Sequence, residues 1–95
     1  MDQINRTQMI TLSNAAYQLE QYGEAKKVLV AWLHKYPNDL WIRYRLAIIL
    51  YKLGEFDSAI RLCELIVSED PEFYEVWGLL AVLYPDLSTD RKLAE

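Results

Sequence analysis

The sequence predicts an all-α fold of stacked antiparallel helix hairpins, and three observations lead there. The chain repeats itself at a fixed interval: Pro37 and Pro71 stand 34 residues apart. Leu12, Leu46 and Leu80 fall into step at that spacing, as do Ser13, Ala47 and Ala81, and the pairs Tyr17/Tyr51, Tyr22/Phe56 and Ala25/Ala59. Periods of this length mark arrays of supersecondary units, because one hairpin cannot bury its own apolar face and a stacked copy can. Within a unit, the apolar residues at 56, 59, 60, 62, 63, 66 and 67 follow helical spacing rather than strand alternation. Finally, 95 residues with 53% apolar and 25% charged side chains suit one folded domain with a modest core.

Unit one, about residues 6–39, reads as helices near 5–20 and 23–36, closing on Tyr36-Pro37. Its turn carries Glu20 where unit two has Gly54, so a looser or more strained turn is expected there. Unit two spans about residues 40–73. Asp39 is placed to cap its first helix, whose leading N–H groups need an acceptor. "LWIRYRLAIILYKL" then runs without a breaker to Gly54, which suits the left-handed position that ends helices. The second helix, about 56–69, stops at Pro71, since proline biases Asp70 away from helical geometry. Ala47 and Ala59 let the two backbones of this hairpin approach closely.

Unit three, about residues 74–95, is incomplete. "VWGLLAVLY" opens it, Pro85 is expected to end its first helix early, and Ser88, Thr89 or Asp90 to cap a second of barely two turns. Ala94 is one residue late for the alanine of a second helix, which fits a small insertion near Pro85. So short a helix leaves the "VWGLLAVLY" face uncovered. Two explanations stand: the chain is a fragment of a larger protein, which is preferred, or a neighbouring molecule covers the face.

Trp77, Leu80, Ala81 and Tyr84 in "WGLLAVLY" follow the pattern W-x₂-L-G-x₂-Y with alanine in place of glycine. Unit two supplies Leu46, Ala47, Ala59, Cys63 and Pro71 at matching places, with Arg43 at the Trp position. Unit one supplies Leu12, Ser13, Ala25, Leu29 and Pro37, with Met9 at that position. As a set, these residues resemble the tetratricopeptide repeat family over nearly the whole chain. The resemblance implies a right-handed α-solenoid of two full repeats and an incomplete third. It also implies a concave groove, lined by the first helix of each unit, that binds a peptide or helix of a partner protein.

Little else in the chain suggests chemistry. Fourteen acids against ten Lys/Arg give a net charge of −4. No basic field gathers phosphates, so nucleic acid is not an expected partner. The longest apolar run, residues 76–84, is far below the ~20 residues that span a bilayer, and "MDQINRTQM" lacks a secretory pattern. The lone Cys63 cannot form an internal disulfide and is expected to be a buried, inert thiol, consistent with a cytoplasmic setting. One histidine, His34, builds neither a two-histidine metal site nor H-E-x-x-H, and is expected near a helix end. Glu69 and Asp70 read as exposed residues at a helix end, and no glycine-rich phosphate loop exists. A Cys63–His34 pair has nothing in the helical phasing to demand it. No enzyme, metal or cofactor is expected.

Carried onto this chain, the groove positions implied by the resemblance are Thr7, Ile10, Asn14 and Tyr17 in unit one. Unit two adds Trp41, Tyr44, Arg45, Ile48, Tyr51 and Lys52, and unit three Gly78 and Val82. Trp, Tyr and Arg dominate binding hot spots because they bring large area and a polar handle. Trp41 is expected to pack within the core or between units, and Tyr51 to face the groove. Trp32 and Trp77 read as structural. The chaperone-binding subset of the family holds a C-terminal carboxylate with Lys, Asn and Arg on successive first helices. Here Asn14 keeps one place, but Ile10, Arg45, Glu75 and Leu79 replace the others, so that function is not expected. A groove with Arg45, Lys52 and tyrosines suits a segment of mixed apolar and acidic character. The main expectation is therefore a non-catalytic scaffold for another protein. A second is self-association as a homodimer through Trp77, Leu80, Leu83 and Tyr84 of the third unit, and a third is the regulatory arm of an enzyme lying beyond Glu95.

Overall fold

The computed structural model describes residues 4–94, with side chains through Tyr84. Among these residues the chain forms five helices: α1 Arg6–Gln18, α2 Tyr22–Lys35, α3 Leu40–Lys52, α4 Phe56–Glu69 and α5 Tyr74–Ala94. The boundaries of α3 and α4 each lie 34 residues after those of α1 and α2, so the sequence period is also the structural one. The helices pack in chain order, α1 on α2, α2 on α3, α3 on α4 and α4 on α5, which is an all-α helical repeat solenoid.

The hairpin turns explain the Glu20/Gly54 contrast. Helix α1 closes with Gln21 N donating to Ala16 O (2.8 Å) and Glu20 N to Tyr17 O (2.9 Å). Helix α3 closes with Glu55 N donating to Leu50 O (2.9 Å) and Gly54 N to Tyr51 O (3.0 Å). Both are Schellman motifs, which need a left-handed residue just past the helix. Gly54 supplies it at φ 79°, and Glu20 is forced into it at φ 59°. The turn is tight and strained, not looser.

The core is two clusters joined by Leu46. Met9, Ala16, Ala25, Leu29, Ile42 and Ile49 form the first; Ala47, Ala59, Cys63, Ile66, Val76, Leu80 and Leu83 are among the second. Ala47 and Ala59 are fully buried, as close approach of α3 and α4 requires. Residues one period apart do the same work between units: Ile42 and Val76 are both buried, and so are Ile49 and Leu83.

Three expectations are corrected. Helix α5 is not stopped at Pro85 but runs unbroken to Ala94, so Ser88, Thr89 and Asp90 lie within a helix and cap none. An interior proline forfeits the bond its N–H would donate to the carbonyl of Ala81. Ala81 is exposed, so water can satisfy that group. Asp39 sits at the N-cap of α3 without a side-chain capping bond. Its carboxylate is taken by other partners, accepting from Arg6 Nε (2.9 Å), Arg6 Nη2 (3.2 Å) and Trp32 Nε1 (2.9 Å). Finally, Leu80 and Leu83 belong to no exposed face, because each is 1% exposed and packed in the second core cluster. Helix α1, by contrast, is capped by side chains, with Asn5 and Gln8 forming a reciprocal capping box.

Candidate functional site

Helices α1 and α3 flank a surface groove with two clefts. The first, about 320 Å³, is lined by Asn14, Tyr17 and Gln18 of α1 and by Arg45, Ile48 and Ile49 of α3, with Ser13 and Leu29 at its floor. The second, about 260 Å³, lies between Arg6 and Ile10 of α1 and Trp41, Ile42 and Arg45 of α3. Arg45 is the residue common to both. The register explains this: Trp41, Arg45 and Ile48 share one face of α3 at helical spacing, while Ile42 and Ile49 turn toward the core.

Asn14, Tyr17, Trp41, Arg45 and Ile48 are thus brought together. Trp41 is half exposed, and its ring also contacts Tyr44 (5.9 Å between centroids) and Phe73 (4.8 Å). It both packs and lines the groove. Tyr44 lines neither cleft, being half-buried against Phe73 at 5.6 Å. Burial, with help from Glu75, pushes its hydroxyl pKa upward. Tyr51 also lines neither cleft, and packs on Phe56 and the second core cluster. Lys52 reaches back across the groove, its Nζ 5.8 Å from the centroid of the Tyr17 ring. Thr7, Gly78 and Val82 are exposed outside the two clefts.

Gln18 stands one period before Lys52, and that departure from the repeat marks it in the sequence as a position where specificity could reside. Sequence reasoning did not find Arg6. Arg6 is held by Asp39, and no motif announces that pair. The same network carries the main electrostatic feature of the joint. Burial would raise the Asp39 carboxyl, but the hydrogen bonds from Arg6 and Trp32 and the Arg6 charge outweigh it and hold it below its ordinary range. A larger cleft of about 420 Å³ lies away from the groove, lined by Ile4, Lys27, Val28, Trp32, Lys35 and Tyr36 among others.

On α5, Trp77 and Tyr84 are 45% and 37% exposed. Trp77 Nε1 donates to Pro71 O (2.7 Å) and Tyr84 Oη to Glu64 Oε2 (2.8 Å). That bond raises the Tyr84 pKa, with burial second. Ala81 between them is exposed, although its counterparts Ser13 and Ala47 are buried under their own second helices.

Cys63 is fully buried, and burial pushes its thiol up to about 11. His34 lies in the last turn of α2 and is exposed. No group of His, Cys, Asp and Glu among the described residues could hold a metal ion, and no helix among them is long and apolar enough to cross a membrane.

A family model described as tetratricopeptide repeat matches residues 10–83, most of the chain. No curated protein matches it.

Proposed function

This chain belongs to the tetratricopeptide repeat family, whose members are interaction modules, and on that premise we propose that it holds a segment of another protein in the α1–α3 groove without catalysing a reaction on it. The observation that supports this reading is the pair of adjoining clefts sharing Arg45, walled by Asn14, Gln18, Ile48 and Trp41. Large amphipathic side chains and neutral amides are what peptide recognition needs, the first for area and the second for the partner's backbone. The negative net charge and the acid-rich surface disfavour nucleic acid as the partner. A single buried thiol is compatible with the reducing cytoplasm.

A second reading rests on the Trp77–Ala81–Tyr84 face of α5, which lacks among the described residues the covering helix that Ser13 and Ala47 have. Here the chain would pair with itself. One titration separates the two: amide chemical shifts of the labelled chain, together with light-scattering mass, over a range of protein concentrations and with added peptides. Groove binding predicts a monomer whose α1 and α3 amides shift on adding peptide. A concentration-dependent dimer with shifts confined to α5 would overturn it in favour of self-association.

A further inference from the structure

We infer that the segment held between α1 and α3 carries an acidic side chain whose carboxylate docks on Arg45, with apolar residues on either side of it; this rests on the groove reading above. The three other arginines with described side chains are engaged. Arg6 bonds Asp39 at 2.9 and 3.2 Å, Arg43 bonds Glu69 at 2.7 Å, and Arg61 reaches Ser58 at 3.4 Å. Lys26 pairs with Glu55 at 3.1 Å and Lys27 with Glu24 at 3.5 Å. Among the arginines whose side chains are described, Arg45 alone makes neither a hydrogen bond nor an ion pair with any of the described residues, though it is half-buried and lies where the clefts meet.

Among the described residues no aspartate or glutamate lines either cleft. A guanidinium partly withdrawn from water has lost hydration without a replacement, and a carboxylate restores it with two parallel charge-assisted hydrogen bonds. A dianionic phosphate would call for a second free cation beside Arg45; among the described residues lining the clefts the other cation, Arg6, is held by Asp39, and Lys52 is turned onto the Tyr17 ring. The flanks are apolar: Ile48 on one side, Ile10 and Trp41 on the other. The acidic residue is therefore seated over α1 and α3.

The test uses the whole chain and three peptides of one apolar frame bearing Glu, Gln or Lys at a central position. Affinity is read by titration and location by amide shifts. The Glu peptide is expected to bind at least about tenfold tighter than the Gln peptide, the scale of one charged hydrogen bond. It should shift Asn14, Gln18 and Ile48, and lose its advantage as salt is raised. Arg45→Gln should abolish the Glu/Gln difference and Arg45→Glu should invert it toward the Lys peptide, both with unchanged unfolding midpoints. Equal affinity of the Glu and Gln peptides with the same groove shifts would overturn the acidic seat and leave the groove standing. Shifts at Trp32 and Tyr36 instead, or no binding by any peptide, would overturn both.

Discussion

Replacing Glu20 by glycine should stabilise this protein, although it adds no contact. Glu20 holds the left-handed position of a Schellman turn at φ 59°, where an L-residue with a Cβ is strained by roughly 1–2 kcal/mol relative to glycine. Glycine gives back part of that gain, about 0.5–1 kcal/mol, because its unfolded chain is freer. The Glu20 side chain makes no hydrogen bond or ion pair with the described residues, so nothing else is lost. The net is about 0.5–1 kcal/mol in favour of the variant, or a rise in Tm of roughly 2–8 °C for a domain of this size. Gly54→Ala is the converse change at the equivalent site. A Cβ built there meets nothing within 4 Å, so its cost is backbone strain alone and should be similar with opposite sign. Thermal unfolding followed by circular dichroism gives both values. Because stacked repeats can open one unit at a time, hydrogen exchange of the α1 and α2 amides should also slow in Glu20→Gly. A lower Tm for Glu20→Gly, or an unchanged Tm for Gly54→Ala, would refute the reasoning.

Asp39 is depressed in the folded state, so its pairing contributes stability above the ordinary carboxylate range and loses it as the pH falls below about 4. The difference in urea midpoint between the native chain and Asp39→Asn should therefore be larger at neutral pH than in acid; a gap that widens in acid would contradict the pairing. Cys63, fully buried with its thiol near 11, should resist alkylation at pH 8 until denaturant opens the second core cluster. Mass spectrometry after brief iodoacetamide treatment decides this, and rapid labelling of the folded chain would show the thiol to be accessible.

What the sequence made legible is what repeats. Helix α4 is read to the residue from its apolar spacing and Pro71, because a buried stripe and a breaker are both local signals. The inter-helix role of Ala47 and Ala59 is legible for the same reason: only a small side chain fits there, and it recurs. Three features were not legible, each because competition decides them. Asp39 has the composition of a cap, yet Arg6 and Trp32 lie close enough in three dimensions to take its carboxylate. Pro85 is a breaker by rule, but its cost is one hydrogen bond beside a solvent-exposed Ala81, and the helix continues. Leu80 and Leu83 sit in an apolar run that reads equally as an exposed face or as core. Only the packing of α4 against α5 decides between them. In the groove, the family resemblance placed Asn14, Tyr17, Arg45 and Ile48 on the first helices of their units. It could not show that Tyr51 rotates onto Phe56, since that depends on side-chain direction at the hairpin turn.

The two joints of the solenoid are built from equivalent places with unlike chemistry, and this bears on how the groove recognises anything. Arg6, Trp32 and Asp39 stand one period before Leu40, Ile66 and Phe73. At the first joint a partly exposed carboxylate fixes α1, α2 and α3 through directional hydrogen bonds. At the second the same three places are apolar and partly or fully buried, and Phe73 gathers Trp41 and Tyr44 around it. Had Phe73 been an aspartate like Asp39, that aromatic cluster would have lacked its centre. Had Asp39 been apolar like Phe73, Arg6 would have been a second free guanidinium beside Arg45. The groove would then have been doubly cationic on the α1 side, a seat for phosphate as much as for carboxylate. By holding Arg6, Asp39 leaves a single unpaired guanidinium, next to an aromatic surface that the other joint creates. In the proposed complex the partner segment would lie with its acidic residue over α1 and α3 and its apolar part toward Phe73, because of where the repeat departs from itself.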